Sequence, residues 1–201
     1  MGRSRAQPQE QPDACQVKTT LFFAAIATLA GCSCTTVRQL RDPATLPTTG
    51  TAEKTRTDNA LDYSVALPIA APPEVIWALL TDGPSFTRWN STVTKLDGTI
   101  ALGQEIHLVS IDKPDKTFSL HVTTFDAPKH MVWEDGGSMF LGVRHFTLLP
   151  GPNGQTLFTM SETLSGGMLG MIEGSLPDFR KSFEGFAADL KKTAEARAAG
   201  K

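Results

Sequence analysis

Two ionisable residues, Arg144 and Glu162, sit where strand alternation would aim them into an interior. In residues 143–149, Phe146 and Leu148 take one face and Arg144 shares it; in residues 156–164, Glu162 follows Phe158 and Met160. A carboxylate and a guanidinium among apolar walls can form an ion pair, orient a ligand, or work as an acid–base couple. The four His residues, at 107, 121, 130 and 145, have neither the helical nor the short-loop spacing of a zinc site. Alternation also turns His121 outward, because Phe118, Leu120 and Val122 claim the inward face, and it turns His145 outward opposite Phe146. The three Cys, at 15, 32 and 34, precede the region able to fold, so neither a disulfide-stapled core nor a structural metal is expected. No Gly-x-Ser-x-Gly, His-Glu-x-x-His or phosphate-loop pattern occurs. No cofactor is expected.

These side chains need a scaffold, and the chain offers one from residue 60 onward. Tyr63, Val65, Leu67 and Ile69 alternate with smaller or polar residues, a strand signature. Pro72-Pro73-Glu74 then opens a short helix through Leu80, and a second short helix or turn covers 85–90. Strand-like segments follow at 92–96, 105–111, 117–125, 130–135, 143–149 and 156–164, separated by turn residues such as Asp97-Gly98 and Gly136-Gly137. Separators this short predict an antiparallel meander, since parallel crossovers need a dozen or more residues. After Pro177, the residues Phe179, Phe183, Phe186, Ala187, Leu190 and Ala194 recur on one face of a long helix. The expected class is α+β: a curved antiparallel sheet of six to seven strands around a long C-terminal helix, with two short helices after the first strand.

Composition narrows the partners. The 201 residues carry 19 Lys+Arg against 21 Asp+Glu, a formal charge of -2, which excludes a sequence-independent grip on nucleic-acid phosphates. With 40% hydrophobic and 20% charged residues, a disordered polyelectrolyte is excluded too.

Residues 21–31 form an uncharged, mostly apolar run behind Lys18. It falls short of the roughly 20 residues of a bilayer span and has the size of a signal-peptide core. Leu29-Ala30-Gly31-Cys32 at its end resembles the lipobox of bacterial lipoproteins, which implies cleavage before Cys32 and a lipid on its thiol. Ser33 permits sorting to the outer membrane, so the expected location is the bacterial cell envelope, on the periplasmic face of the outer membrane if the cell is Gram-negative. Pro8, Glu10, Pro12 and Asp13 lengthen the leader unusually; translation starting near Val17 would restore an ordinary length. The expected organisation is a signal peptide at 1–31, a flexible tether at 32–59, and a binding domain at 60–197. The tether assignment rests on abundant Thr and Pro without any apolar period.

Residues 60–197 resemble the helix-grip superfamily of START-like and Bet v 1-like proteins (SRPBCC), nearest its polyketide cyclase/dehydrase and lipid-transport branch. The resemblance is carried by Ala71-Pro72-Pro73-Glu74-Val75-Ile76-Trp77, Phe86-Thr87-Arg88-Trp89-Asn90, Gly103-Gln104-Glu105-Ile106 and Val132-Trp133. It continues in Gly154-Gln155-Thr156, Glu162, and Phe183-Glu184-Gly185-Phe186 with Leu190-Lys191. It implies a cavity between sheet and long helix that binds a hydrophobic small molecule or lipid, with a minority of members being enzymes. The sheet side of that cavity is expected from Leu108, Phe118, Leu120, Val122, Trp133, Phe146, Phe158 and Met160. Trp89, Phe179, Phe183 and Phe186 would supply the helical side. Met168 and Met171, set among glycines, would form a pliable lip. Gly185 in mid-helix costs about 1 kcal/mol relative to Ala, which either close packing or room for a ligand would explain.

Three readings follow. The protein is a membrane-anchored binding module for a hydrophobic molecule or lipid, an enzyme of cyclase or dehydratase type using Glu162 and Arg144, or a protein–protein adaptor with a vestigial cavity.

Overall fold

The computed structural model of the protein describes residues 42–200. The run at 21–31, Cys32 and the start near Val17 lie outside the described residues. Eight strands form one antiparallel sheet in the order β1-β2-β8-β7-β6-β5-β4-β3. They are β1 (Glu53–Thr57), β2 (Ala60–Ile69), β3 (Val93–Asp97), β4 (Glu105–Ser110), β5 (Phe118–Asp126), β6 (His130–Gly137), β7 (Phe140–Pro150) and β8 (Thr156–Ser165). The helices are α1 (Pro73–Thr81), α2 (Phe86–Trp89), α3 (Leu169–Ile172) and α4 (Arg180–Ala198).

The expected α+β class, the two short helices and the long final helix are all present, but the sheet has eight strands where six to seven were expected. The additional strand, β1, falls inside the segment 32–59 expected as a tether. It turns through Asp58-Asn59 into β2, with Thr57 opposite Ala60 and Glu53 opposite Ser64. Its side chains from Lys54 to Thr57 are exposed. It is held by backbone pairing at a sheet edge, which needs no apolar alternation, so composition gave no sign of it.

Curvature comes from identifiable irregularities. The register shifts between Val93 and Lys95 on β3 and between Val122 and Thr124 on β5, and such bulges bend a strand and increase its twist. The bent sheet wraps α4, which buries Phe183, Phe186, Ala187, Leu190 and Ala194 against it. At about 25 cal/mol per Å² of apolar surface, each such large side chain contributes roughly 1.5–3 kcal/mol on burial.

Polar clasps fix the position of α4. Glu184 accepts the backbone N–H of Ala52 at 2.9 Å, Asp189 accepts that of Ser91 at 2.8 Å, and Glu195 accepts that of Ala70 at 2.9 Å. Three chain segments outside the helix thereby have their orphan amides satisfied by helix carboxylates. Gly185 on the same helix is explained by close packing: a Cβ there would lie 2.9 Å from Cγ2 of Thr92. No helix among the described residues is long and apolar enough to cross a membrane.

Candidate ligand cavity

Antiparallel register arranges the inward side chains in transverse rows. One row, Val65–Met160–Phe146–Met131, is apolar and buried throughout. The next, two residues along, runs Tyr63–Glu162–Arg144–Trp133. A third runs Leu61–Leu164–Gly142–Asp135. Glu162, Arg144 and Trp133 of the second row and Leu164 and Asp135 of the third, with residues of β4, β5 and α4, line a cavity of about 120 Å³.

Arg144 and Glu162 meet on its wall. Nη2 and Nε of Arg144 donate to the same oxygen, Oε2 of Glu162, at 2.6 and 3.2 Å. The guanidinium also lies 5.4 Å from the ring of Phe183, so α4 covers the pair from the other side. The side chains retain 22% and 13% exposure, which places the pair between a surface ion pair and a dry one.

Asp135 is the second carboxyl on this wall. Its neighbour across β6 and β7 is Gly142, where a Cβ would collide with Oδ1 of Asp135. The missing side chain is the space the carboxyl uses. Burial pushes Asp135 above the usual carboxylate range and the charge of Glu162 adds to this, while Arg144 and Lys116 oppose it. Lys116 rests 4.3 Å over the ring of Phe118, Lys113 donates to the carbonyl of Ser175 at 3.3 Å, and Ser182 donates to Asp112. Trp133 lies against Phe146 with ring centroids 4.7 Å apart, and its buried indole N–H has no partner among the described residues.

The structure brings together most of the residues expected on the wall. Leu108, Phe118, Leu120, Trp133, Met160, Phe179, Phe183 and Phe186 line the cavity along with Arg144 and Glu162. Val122, Phe146 and Phe158 are fully buried in the core behind the wall. Trp89 is packed away from it between Phe86 and Phe186, with ring centroids 4.7 and 5.6 Å apart. Met168 and Met171 do not reach the cavity, because the single turn of α3 leaves Met171 75% exposed, while the Met168 amide bonds to the carbonyl of Met139. The wall also includes residues the sequence reading missed: Asp135, Phe140, Leu164 and Leu176, and Asp112, Lys113 and Lys116 from the β4–β5 loop. Asp135 had a signal, since it alternates with Trp133. The loop residues had none.

No His lines the cavity. His107 and His121 flank Glu105, each with its Nε2 3.4 Å from a carboxylate oxygen. His130 and His145 stack with Nε2 and Nδ1 3.1 Å apart. Among the described residues no three His, Cys, Asp or Glu side chains converge to hold a metal ion.

A family model described as polyketide cyclase/dehydrase and lipid transport matches residues 60–195, more than half of the chain. The chain belongs to this polyketide cyclase/dehydrase and lipid-transport family. Membership supports hydrophobic ligand binding or polyketide cyclase-like function in general terms. Comparison with curated proteins found no match. Among solved structures, a conserved protein of unknown function from Enterococcus faecalis is 16% identical, with 73% of this chain and 78% of that one covered and a TM-score of 0.54. Norcoclaurine synthase from Thalictrum flavum, solved as a point mutant with a transition-state analogue, is 11% identical over 71% and 99% of the two chains, with a TM-score of 0.55. The di-domain ARO/CYC StfQ of the steffimycin biosynthetic pathway is 16% identical over 71% of this chain and 53% of its own, again with a TM-score of 0.55. At these identities the likeness is one of fold: the helix-grip architecture of the family is the architecture seen here.

Proposed function

We propose that this protein binds a hydrophobic small molecule in the cavity under α4 and holds it at a membrane through a lipid on Cys32. The observation that carries the reading is the cavity wall. It is mostly aromatic and aliphatic, with a small set of ionisable side chains among the apolar ones, the composition of a binding pocket that fixes orientation with few polar contacts. Catalysis by an acid–base pair is less well supported. Glu162 is committed to Arg144 through both hydrogen bonds, and no His shares the cavity with it.

Size constrains the ligand. About 120 Å³ is close to the roughly 150 Å³ of an engineered cavity that holds benzene, and well under the 300–1,000 Å³ of drug-sized pockets. A single ring fits the cavity as it stands, and a lipid requires its rim to part. The β4–β5 loop, which gives Asp112, Lys113 and Lys116 to the wall, is tied to the segment before α4 by the Lys113–Ser175 bond.

The test is native mass spectrometry of the full chain purified from the envelope fraction of its expression host, followed by denaturing extraction. A co-purified apolar molecule, lost when Phe183→Ala opens the wall, supports binding. A folded protein that is empty and indifferent to added apolar molecules overturns it. The anchor has its own readout: Cys32→Ala should move the protein from the membrane to the soluble fraction, and unchanged membrane association would remove that part of the reading.

A further inference from the structure

The ionisable part of the cavity wall carries more information than a hydrophobic ligand needs. Its ionisable side chains are Lys113, Lys116 and Arg144 against Asp112, Asp135 and Glu162, three cations and three carboxylates. The wall is therefore balanced, and a charged ligand would enter a largely apolar space without a counter-charge. Most of these groups are occupied. Glu162 holds Arg144, Asp112 accepts from Ser182, Lys113 binds the Ser175 carbonyl, and Lys116 lies over Phe118.

Asp135 differs. Among the described residues its carboxylate has neither an ion pair nor a hydrogen bond to another residue, although burial opposes its charge. Gly142 opposite gives it room on the cavity face of β6. A half-buried acceptor with only its own backbone N–H to donate to it is a costly group unless something else supplies a further donor. Two residues away on the same face, Trp133 presents the converse, a buried N–H without an acceptor.

We propose that the cavity selects a compact neutral ligand bearing a hydroxyl group, a phenol or small alcohol, whose O–H donates to Asp135. A hydroxyl supplies the missing donor without upsetting the charge balance. Its oxygen lone pairs remain available to the indole N–H of Trp133. An ammonium would satisfy Asp135 but would add an unbalanced charge beside Arg144 and Lys116; a carboxylate would meet Asp135 and Glu162. This assignment rests on the cavity being a binding site, as proposed above, and makes Asp135 its specificity-determining residue.

The experiment is calorimetric titration of the full chain with toluene, anisole, phenol and benzylamine, ring-sized probes that differ in their polar group. Phenol should bind at least about tenfold tighter than toluene or anisole, an advantage of the size one well-made hydrogen bond to a charged acceptor supplies. Asp135→Ala should abolish that ratio while toluene binding persists, and Asp135→Asn, whose amide oxygen still accepts but carries no charge, should leave a reduced ratio above one. Equal binding of phenol, anisole and toluene overturns the hydroxyl subsite and leaves the cavity reading intact. Tighter binding of benzylamine than phenol overturns the neutral-ligand assignment. Binding of none of the four overturns the subsite together with the cavity reading beneath it.

Discussion

Arg144 and Glu162 stand directly opposite each other on β7 and β8, and both guanidinium hydrogen bonds of Arg144 converge on one carboxylate oxygen of Glu162. Removing one member leaves the other half-buried and uncompensated, whereas removing both leaves an apolar wall. Arg144→Leu and Glu162→Leu should each cost about 2–3 kcal/mol, and the double variant clearly less than their sum. Urea unfolding of the three variants measures the difference; simple additivity would show that the pair contributes nothing by pairing.

Gly185 offers a second measurement. Alanine there gains about 1 kcal/mol of helix propensity but drives a methyl group into Thr92, which is buried and held by two bonds to Oδ1 of Asn90. Overpacking of this kind costs about 1–3 kcal/mol, so Gly185→Ala should lower the melting temperature. Thr92→Ser keeps the hydroxyl and removes the methyl group in the way. Combined with Gly185→Ala it should restore stability, and a double variant no better than Gly185→Ala would contradict the steric account.

Acid should weaken the domain through the stacked histidines. Burial lowers His145 from its ordinary 6.5 to about 4, with His130 adding repulsion and Glu134 opposing it; burial also lowers His130, against the pull of Asp126. The folded state thus favours neutral rings, and the unfolded chain binds the extra protons. The stability this provides is complete above about pH 6.5 and declines as pH falls toward about 4. A plot of melting temperature against pH should be flatter over that window for His145→Gln than for the parent. Parallel curves would show that other groups govern the acid limb.

The clasp between Glu184 and Ala52 predicts a local effect. Glu184→Ala leaves the Ala52 amide without its acceptor next to the edge strand β1. The loss should be about 1 kcal/mol globally, with faster hydrogen exchange confined to Ala52 and the β1–β2 hairpin. Exchange that rises uniformly across the sheet would instead mark Glu184 as part of the global core.

Alternation alone was enough to place Arg144 and Glu162 on one face, because each shares a strand with large apolar residues of fixed parity. It could not show that they occupy the same row, since register depends on how β8 is set between β2 and β7. Asp135 closed the expected strand at 130–135 and shares the face of Trp133, but a carboxylate at a strand end beside Gly136-Gly137 carries no sign of being interior. In the structure β6 runs on through Gly137 and keeps Asp135 inside. Lys113 and Lys116 reach the cavity only because a loop folds over it, and no local period records that. Met171 misled for the opposite reason, as an apolar side chain on a single helical turn can face solvent without a neighbour to bury it.

The sheet order has a consequence for how the protein is made. Strand β2 has β1 on one side, but its other partner, β8, is synthesised some ninety residues later. All the remaining strands hang from β8 through β7, and α4 comes last of all. A ribosome adding about 5–20 residues per second would hold the β1–β2 hairpin without its partner for several seconds. During that time the apolar face of β2 is available to chaperones. Completion of the domain is thereby tied to the emergence of α4, and a stop codon anywhere before α4 would yield a chain with no covered core.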